Sequence, residues 1–296
     1  GLIERCEYKF RAEALDDWEK TVDLVVLGEP FDPREIQLQR SFDKANIATM
    51  PIIQSWDNIS NKGNLLLSST KILVWGSAMK EEIKALYPKF IRDNIIPVGA
   101  TQFDQYIKDR DVNRACRDKF LTDLKIPSDR KIILYATNSP RHTSDDPEIC
   151  RLIAEEFANT LADLNCHLLI RLHQADQFSR YLALIDSPRI TVSRSSVPSN
   201  LTLEKWIPPE EELTKLSDFL RFSDVSLNTA STMTLDAMIM GLPVLNIAFD
   251  SVQTSPRKSK RRMYRYHHWK PLLEADVLTI CQTKEDLIAG IRQSII

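Results

Sequence analysis

Glycine is scarce in this chain, with seven in 296 residues. A glycine-rich phosphate cradle of the G-x-G-x-x-G or P-loop type needs closely spaced glycines, and none stands here. Any phosphate must instead be held by helix N-termini and side chains. Cysteine gives no framework either. Cys6, Cys116, Cys150, Cys166 and Cys281 are odd in number, scattered and never in C-x-x-C spacing. That pattern argues against disulfide scaffolding and structural zinc, and it fits a reducing cytoplasm. No apolar run approaches the roughly 20 residues of a membrane helix. Charge of one sign is not in excess: 39 Lys/Arg against 41 Asp/Glu leave a net charge of −2, which argues against a general nucleic-acid binder. Internal repeats and low-complexity tracts are missing too. So is an opening methionine or signal-like segment, and an α/β domain normally has strands before residue 23. The first units of the N-terminal domain are therefore expected to be absent from this chain.

What is present is organised around Asp224–Asp250. Asp224–Leu227 is short and apolar enough for a buried strand. The polar turn Asn228-Thr229-Ala230-Ser231-Thr232 then offers N-caps for a helix. Leu235, Met238 and Ile239 recur at helical spacing, Gly241 sits where a left-handed C-cap belongs, and Pro243 blocks continuation. Val244–Phe249 follows as a second buried strand. Nearly continuous apolar strands around a helix are the mark of a parallel sheet covered on both faces. In such sheets the turn after the strand is where ligands bind, and a helix N-terminus there offers N–H groups to an anion. The plain alternative is that Ser231 and Thr232 only cap the helix.

Upstream, the pattern alternates in the same way. Strands are predicted over Asp23–Gly28, Ile47–Ile53, Lys71–Gly76 and Ile95–Val98, with helices from Pro33 to Ala45 and over Ser77–Leu86, the latter capped by Ser77. A charged amphipathic helix over Asp111–Leu124 should bridge two domains, with Lys125–Arg130 as the joint. The second domain restarts with strands at Lys131–Thr137, His167–Leu172, Ile190–Val192, Val225–Leu227, Val244–Ile247 and Val277–Ile280. Helices after Pro147 and over Glu210–Phe222, Thr232–Met240 and Lys284–Ile295 fill the crossovers. The expected product is α/β: two Rossmann-like domains, residues 1–124 and 125–296, facing each other across a cleft, the N-terminal one incomplete.

Ser231-Thr232, Asp236-Ala237, Gly241 and Pro243 form the pattern Ser-Thr-x-x-x-Asp-Ala-x-x-x-Gly-x-Pro, which resembles the donor-binding segment of GT-B glycosyltransferases and their epimerase and glycerophosphotransferase relatives. Gln54–Gly63 (QSWDNISNKG), KILVWGSAMKEEI and IIPVGATQFD resemble the N-terminal half of bacterial GT-B proteins of surface-carbohydrate synthesis. LLIRLHQAD resembles the strand-and-histidine element of the same relatives, with Gln174 where a proline often stands. The resemblance implies a nucleotide-activated donor as substrate and no cofactor; no metal is expected, since no D-x-D stands in the cleft-facing segments and helix dipoles with Arg171 can offset the diphosphate charge. The resemblance also implies that Asp236, an aspartate where glutamate is commoner, accepts hydrogen bonds from a ribose, and that Trp206 lies against the nucleobase.

The residues themselves add candidates. Arg171 and His173 leave a strand on one side of an extended chain, so both can face one ligand; a guanidinium pairs with phosphate, and histidine adds a hydrogen bond or a proton. Otherwise Arg171 pairs a nearby acid and His173 simply ends the strand. Asn138 and Ser139 sit in the loop after the Lys131 strand, as further phosphate-side groups. An inverting, metal-independent transfer needs a base for the acceptor hydroxyl, and Asp57 is the candidate, with His173 as the second catalytic group and Lys62 on the acceptor side. The competing role for Asp57 is an Asx cap on the following turn. Finally, Arg257–Lys270 holds seven Lys/Arg and no acid. It reads as a mobile basic loop in which Arg261, Arg262 and Arg265 meet a phosphorylated or acidic glycan acceptor, or a membrane surface.

These features lead to a nucleotide-sugar-dependent GT-B glycosyltransferase of bacterial envelope or surface polysaccharide synthesis, cytoplasmic or peripheral at the inner membrane face. The alternatives are a CDP-glycerol-type glycerophosphotransferase using a CDP-alcohol, a UDP-sugar 2-epimerase, for which only Asp57 and Asp104 are placeable acid/base carboxylates, and a non-catalytic GT-B-like binding subunit.

Overall fold

Two compact units divide the chain in the computed structural model, Gly1–Thr101 and Gln102–Ile296. The structure describes residues 21–62, 65, 71–88, 94–108, 114–194, 210–252, 256 and 259–296. In the first unit, β1 (Leu24–Leu27) pairs in parallel with β2 (Ala48–Pro51) across the helix α1 (Pro33–Lys44). Asp32 caps that helix by accepting the Arg34 N–H at 2.7 Å, and Pro33 fills the first turn, where no N–H is needed. A short helix α2 (Asn58–Asn61) follows, then β3 (Ile72–Val74), α3 (Ser77–Leu86) and β4 (Ile95–Pro97), with β3 and β4 parallel. An Ile52–Leu73 bridge links the two strand pairs. The helix α3 has the expected bounds, but its N-cap is the extended Gly76; Ser77 is already helical. Ile53, Ile72, Val74 and Ile83 form the buried centre of this unit.

The second unit holds one six-stranded sheet. Its strands are β5 (Lys131–Ala136), β6 (Cys166–Arg171), β7 (Ile190–Ser193), β8 (Val225–Asn228), β9 (Val244–Ile247) and β10 (Thr279–Cys281). They run in the order β10-β9-β8-β5-β6-β7, every pair parallel. Counted within the unit this is 6-5-4-1-2-3, the doubly wound order, and its direction of winding reverses between β5 and β8. Alternation sends Ile133, Tyr135, Leu168 and Ile170 to one face, against α6 (Asp146–Glu156) and α11 (Lys284–Ile295). Ile132, Leu134, Ala136 and Leu169 go to the other. There they meet α4 (Asp104–Lys108), α5 (Arg114–Asp123), α7 (Glu210–Arg221) and α8 (Met233–Ile239). Thus α4 and α5, which precede the joint expected at 125–130, are packed into this unit: Leu121 is fully buried, and Phe120 meets Phe219 edge-on at 5.6 Å.

One polar group crosses the apolar interior of the sheet. Asn228 and Asn246 are register partners on β8 and β9, both fully buried, and the Thr234 hydroxyl of α8 lies 3.0 Å from the Asn228 Oδ1 and 2.7 Å from the Asn246 Oδ1. The basic stretch expected to be a loop is built differently. It forms α9 (Lys260–Met263), a 3-10 turn over His267–Trp269 and α10 (Lys270–Glu274), with Lys260, Tyr264, His268 and Trp269 buried.

Candidate functional site

The winding reverses between β5 and β8, and the crevice at the carboxyl ends of the strands at such a point is where doubly wound sheets hold ligands. Asn138 spans this point: its Nδ2 donates to the Thr229 carbonyl at 2.9 Å, while its Oδ1 accepts the Ser139 N–H at 2.7 Å. Asp146, at the start of α6, holds the same loop from below. It accepts the Asn138 N–H at 2.8 Å, the Thr143 hydroxyl at 2.9 Å and the Tyr135 hydroxyl at 3.0 Å. Burial pushes its carboxyl up to about 6, against those hydrogen bonds and the Lys260 charge. Across the crevice, the Ser231 Oγ accepts the Met233 N–H at 3.3 Å, whereas Thr232 occupies the N-cap position without a side-chain bond. Capping thus belongs to Ser231 alone. With only seven residues, α8 adds little dipole of its own. What the turn offers is backbone: among the described residues neither the Ser231 nor the Thr232 N–H finds an acceptor within the protein.

Next to the crevice, β6 delivers Arg171 and His173. Arg171 Nη2 lies 3.4 Å from Glu212 Oε1 of α7, the pairing with an acid that the sequence left open, and its side chain keeps 18% exposure. Burial works against its charge, with Glu212, Tyr106 and Asp236 supporting it. Asp236 is buried and accepts the Tyr106 hydroxyl at 2.9 Å; burial lifts its carboxyl to about 6, with Tyr106 and Arg171 pulling it back. Tyr106 thus takes Oδ1 of the carboxylate expected to meet a ribose and leaves Oδ2 without a protein donor among the described residues. His173 is held by its own N–H on the Thr137 hydroxyl at 2.8 Å, and its Nδ1 accepts the Ala175 N–H at 3.0 Å. Burial and then Arg171 lower its pKa, so the ring is neutral with its proton on Nε2. In that tautomer Nε2 donates a hydrogen bond and does not take a proton.

The remaining expected residues divide. Asp57, in the first unit, stands at the N-cap of α2 but makes no cap bond to the backbone; its carboxylate accepts from the Ser55 hydroxyl and, at 3.4 Å, from the Asn61 amide. Lys62 is tied to Glu29 at 3.0 Å, so an acceptor would have to compete with that carboxylate. Trp206 lies outside the described residues, as do Arg257 and Lys258. Arg261 is committed to two carbonyls, Ala248 at 3.2 Å and Gln282 at 3.1 Å. Arg262 and Arg265 are exposed and, with Arg261, Ser259, Pro256 and Tyr266, line a cavity of about 500 Å³. The basic segment is therefore not a run of unopposed cations: Lys260 is buried and ion-paired with Asp145.

Sequence reasoning passed over Tyr106, Glu212, Asp145, Asp146, Lys260 and Tyr264. Only the acidic pair before Pro147 carried a readable signal, the acid–proline start of a helix. The others meet partners far away in the chain.

No protein-family model matches the chain, and no curated protein sequence does. Solved structures do. A UDP-GlcNAc 2-epimerase from Methanocaldococcus jannaschii superposes with a TM-score of 0.59 at 16% identity, over 94% of this chain and 73% of its own. A UDP-GlcNAc 2-epimerase from Neisseria meningitidis, bound to UDP-GlcNAc, gives 0.59 at 16%, over 95% and 70%. A glycosyltransferase from Rickettsia africae gives 0.55 at 11%, over 95% and 68%. At these identities the likeness speaks for the fold alone: the chain shares the α/β, GT-B-like fold of these enzymes.

Proposed function

We propose that the chain is a nucleotide-sugar-dependent, metal-independent glycosyltransferase of bacterial cell-envelope or surface polysaccharide synthesis. The observation that carries this reading is the crevice at the β5/β8 switch point, bounded by Asn138, Ser139 and the 229–232 turn, with Arg171 beside it. A nucleoside diphosphate fits that chemistry. The Ser231 and Thr232 N–H groups and the Arg171 guanidinium answer the phosphates, and Asp236 accepts from a ribose hydroxyl with its unoccupied oxygen. Trp206 is assigned to the base. In the transfer the acceptor oxygen attacks the anomeric carbon and gives its proton to a general base. The diphosphate leaves with the bonding electron pair, and its new charge is met by Arg171 and by the His173 Nε2–H. The Arg262/Arg265 cavity is assigned to a phosphorylated or acidic glycan acceptor, with Arg261 shaping the cavity wall. Among the described residues no helix is long and apolar enough to cross a membrane. The proposal places the enzyme in the cytoplasm or against the inner membrane face.

A UDP-sugar 2-epimerase is the second reading, since epimerases from Methanocaldococcus jannaschii and Neisseria meningitidis are among the solved structures with this fold. Calorimetry with UDP, CDP, GDP and CMP compounds, CDP-glycerol included, tests the shared step. Asp236→Ala is expected to weaken the preferred nucleotide by about 1–3 kcal/mol in a folded protein. Unchanged affinity removes Asp236 from the site. Incubation with UDP-GlcNAc alone separates the readings, since a second UDP-sugar formed without an acceptor is epimerase chemistry.

A further inference from the structure

The segment that follows β9 straps the carboxyl ends of three strands together. The Lys260 ammonium is buried on Asp145, and the Lys260 N–H donates to Asp250 Oδ1 at 3.0 Å. Arg261 reaches the chain after β9 and after β10 through the Ala248 and Gln282 carbonyls. One turn later the Tyr264 hydroxyl accepts the Ala230 N–H at 2.9 Å and donates to the Ile247 carbonyl at 3.1 Å. Ala230 is the residue of the β8–α8 turn with a positive φ, 40°, a conformation that a side chain disfavours and that a hydrogen bond must hold. The tyrosine cannot swing aside to release it. The residue is 6% exposed, and its ring meets the fully buried Trp269 edge-on at 5.1 Å. Burial raises the phenol far above its usual range, so the hydroxyl keeps its proton and serves both partners at once.

We infer that Tyr264 is a positioning residue of the switch-point site: its hydroxyl sets the Ala230 conformation, and so aims the N–H groups of Ser231 and Thr232 at the phosphates of a bound nucleotide. This rests on the nucleotide-donor reading above. The strap is then a preorganising element for the phosphate end of the ligand and has no say in the recognition of the base.

Tyr264→Phe keeps the ring and its contact with Trp269 and removes only the hydroxyl. Two measurements on the full chain test the inference. Amide hydrogen exchange at Ala230 is expected to quicken at least tenfold without any ligand, while the strand amides of β8 stay protected. Calorimetry is expected to show UDP or CDP, whichever the wild type prefers, bound about tenfold more weakly, with the matching nucleoside bound as before. Unchanged exchange at Ala230 overturns the inference whatever the nucleotides do, and so does an equal loss for diphosphate and nucleoside. If the wild type binds none of these nucleotides while exchange at Ala230 quickens, the hold of Tyr264 on the turn stands and the donor reading falls.

Discussion

The carboxylates of the two units are used in different ways. In the first unit, Asp57 answers Ser55 and Asn61, two and four residues away, and Glu29 meets Lys62 in a pair whose side chains are 34% and 43% exposed. In the second, Asp236 is reached by Tyr106 from 130 positions away, and Asp145 by Lys260 from 115. The strands differ in the same sense. Leu24 and Val26 of β1 are 46% and 51% exposed, whereas β5 and β6 bury residues on both faces. Exposed acids decorate a surface, while buried acids reached from far along the chain decide where loops stand. The difference is why the candidate site is a property of the second unit's topology and not of any one motif.

The largest effect expected from this contrast is at Lys260. Replacing it by methionine leaves Asp145 buried and unpaired, which costs about 3–5 kcal/mol in urea unfolding. Lys62→Met breaks the exposed pair with Glu29 and should cost about 1 kcal/mol or less. Asp145→Asn combined with Lys260→Met should recover at least half of the loss. If Lys260→Met and Lys62→Met cost the same, the contrast between the units is wrong.

A second effect sharpens the contrast within two adjacent residues. Asp145 faces the Lys260 ammonium, which overcomes the opposing effect of burial and holds its carboxyl below the ordinary 3.8; Asp146 faces neutral donors, and burial pushes it to about 6. Between about pH 4 and 6 the unfolded chain has released the Asp146 proton and the folded chain still holds it. Stability from this group is therefore full in acid and falls as pH rises to 6, by about 3 kcal/mol. Asp236, raised for the same reason, adds a fall of the same sign. His167, which burial lowers to about 4, contributes the opposite slope, losing stability as pH falls from 6.5. Carbon-detected NMR titration should separate Asp145 from Asp146 by about two pH units or more; coincident midpoints near 4 would contradict the burial assigned to Asp146.

The smallest effect belongs to a purely local device. Thr283 and Asp286 form a capping box on α11, the Thr283 Oγ1 accepting the Asp286 N–H at 3.1 Å and the Asp286 carboxylate accepting the Thr283 N–H at 3.0 Å. Thr283→Ala should cost about 1 kcal/mol by thermal unfolding, with no change in nucleotide affinity.

That local device also shows what could be read from the chain and what could not. The helices α3 and α11 and the strand β9 have the bounds that periodicity, caps and Pro243 imply, because each signal lies within a few residues of its effect. The Arg171 pairing was foreseeable as one of two outcomes, but its partner Glu212 was not, since a crossover helix brings it in. Lys260 was hidden by its company. In a run of seven cations nothing in the local pattern marks the one whose ammonium goes inward. Tyr106 sits in a short helix to which no sequence signal points, and only the fold returns it to Asp236.

The amide–hydroxyl–amide contact of Asn228, Thr234 and Asn246 has a consequence for how accurately the crevice is placed. Leucine and valine pack almost as well one repeat up or down a parallel neighbour, but a buried amide out of line loses its partner at a cost of about 1–3 kcal/mol. Asn228 and Asn246 therefore act as an alignment mark between β8 and β9. A slip of two residues would keep every side chain on its proper face and carry the 229–232 turn about 7 Å along the strand, out of reach of Asn138.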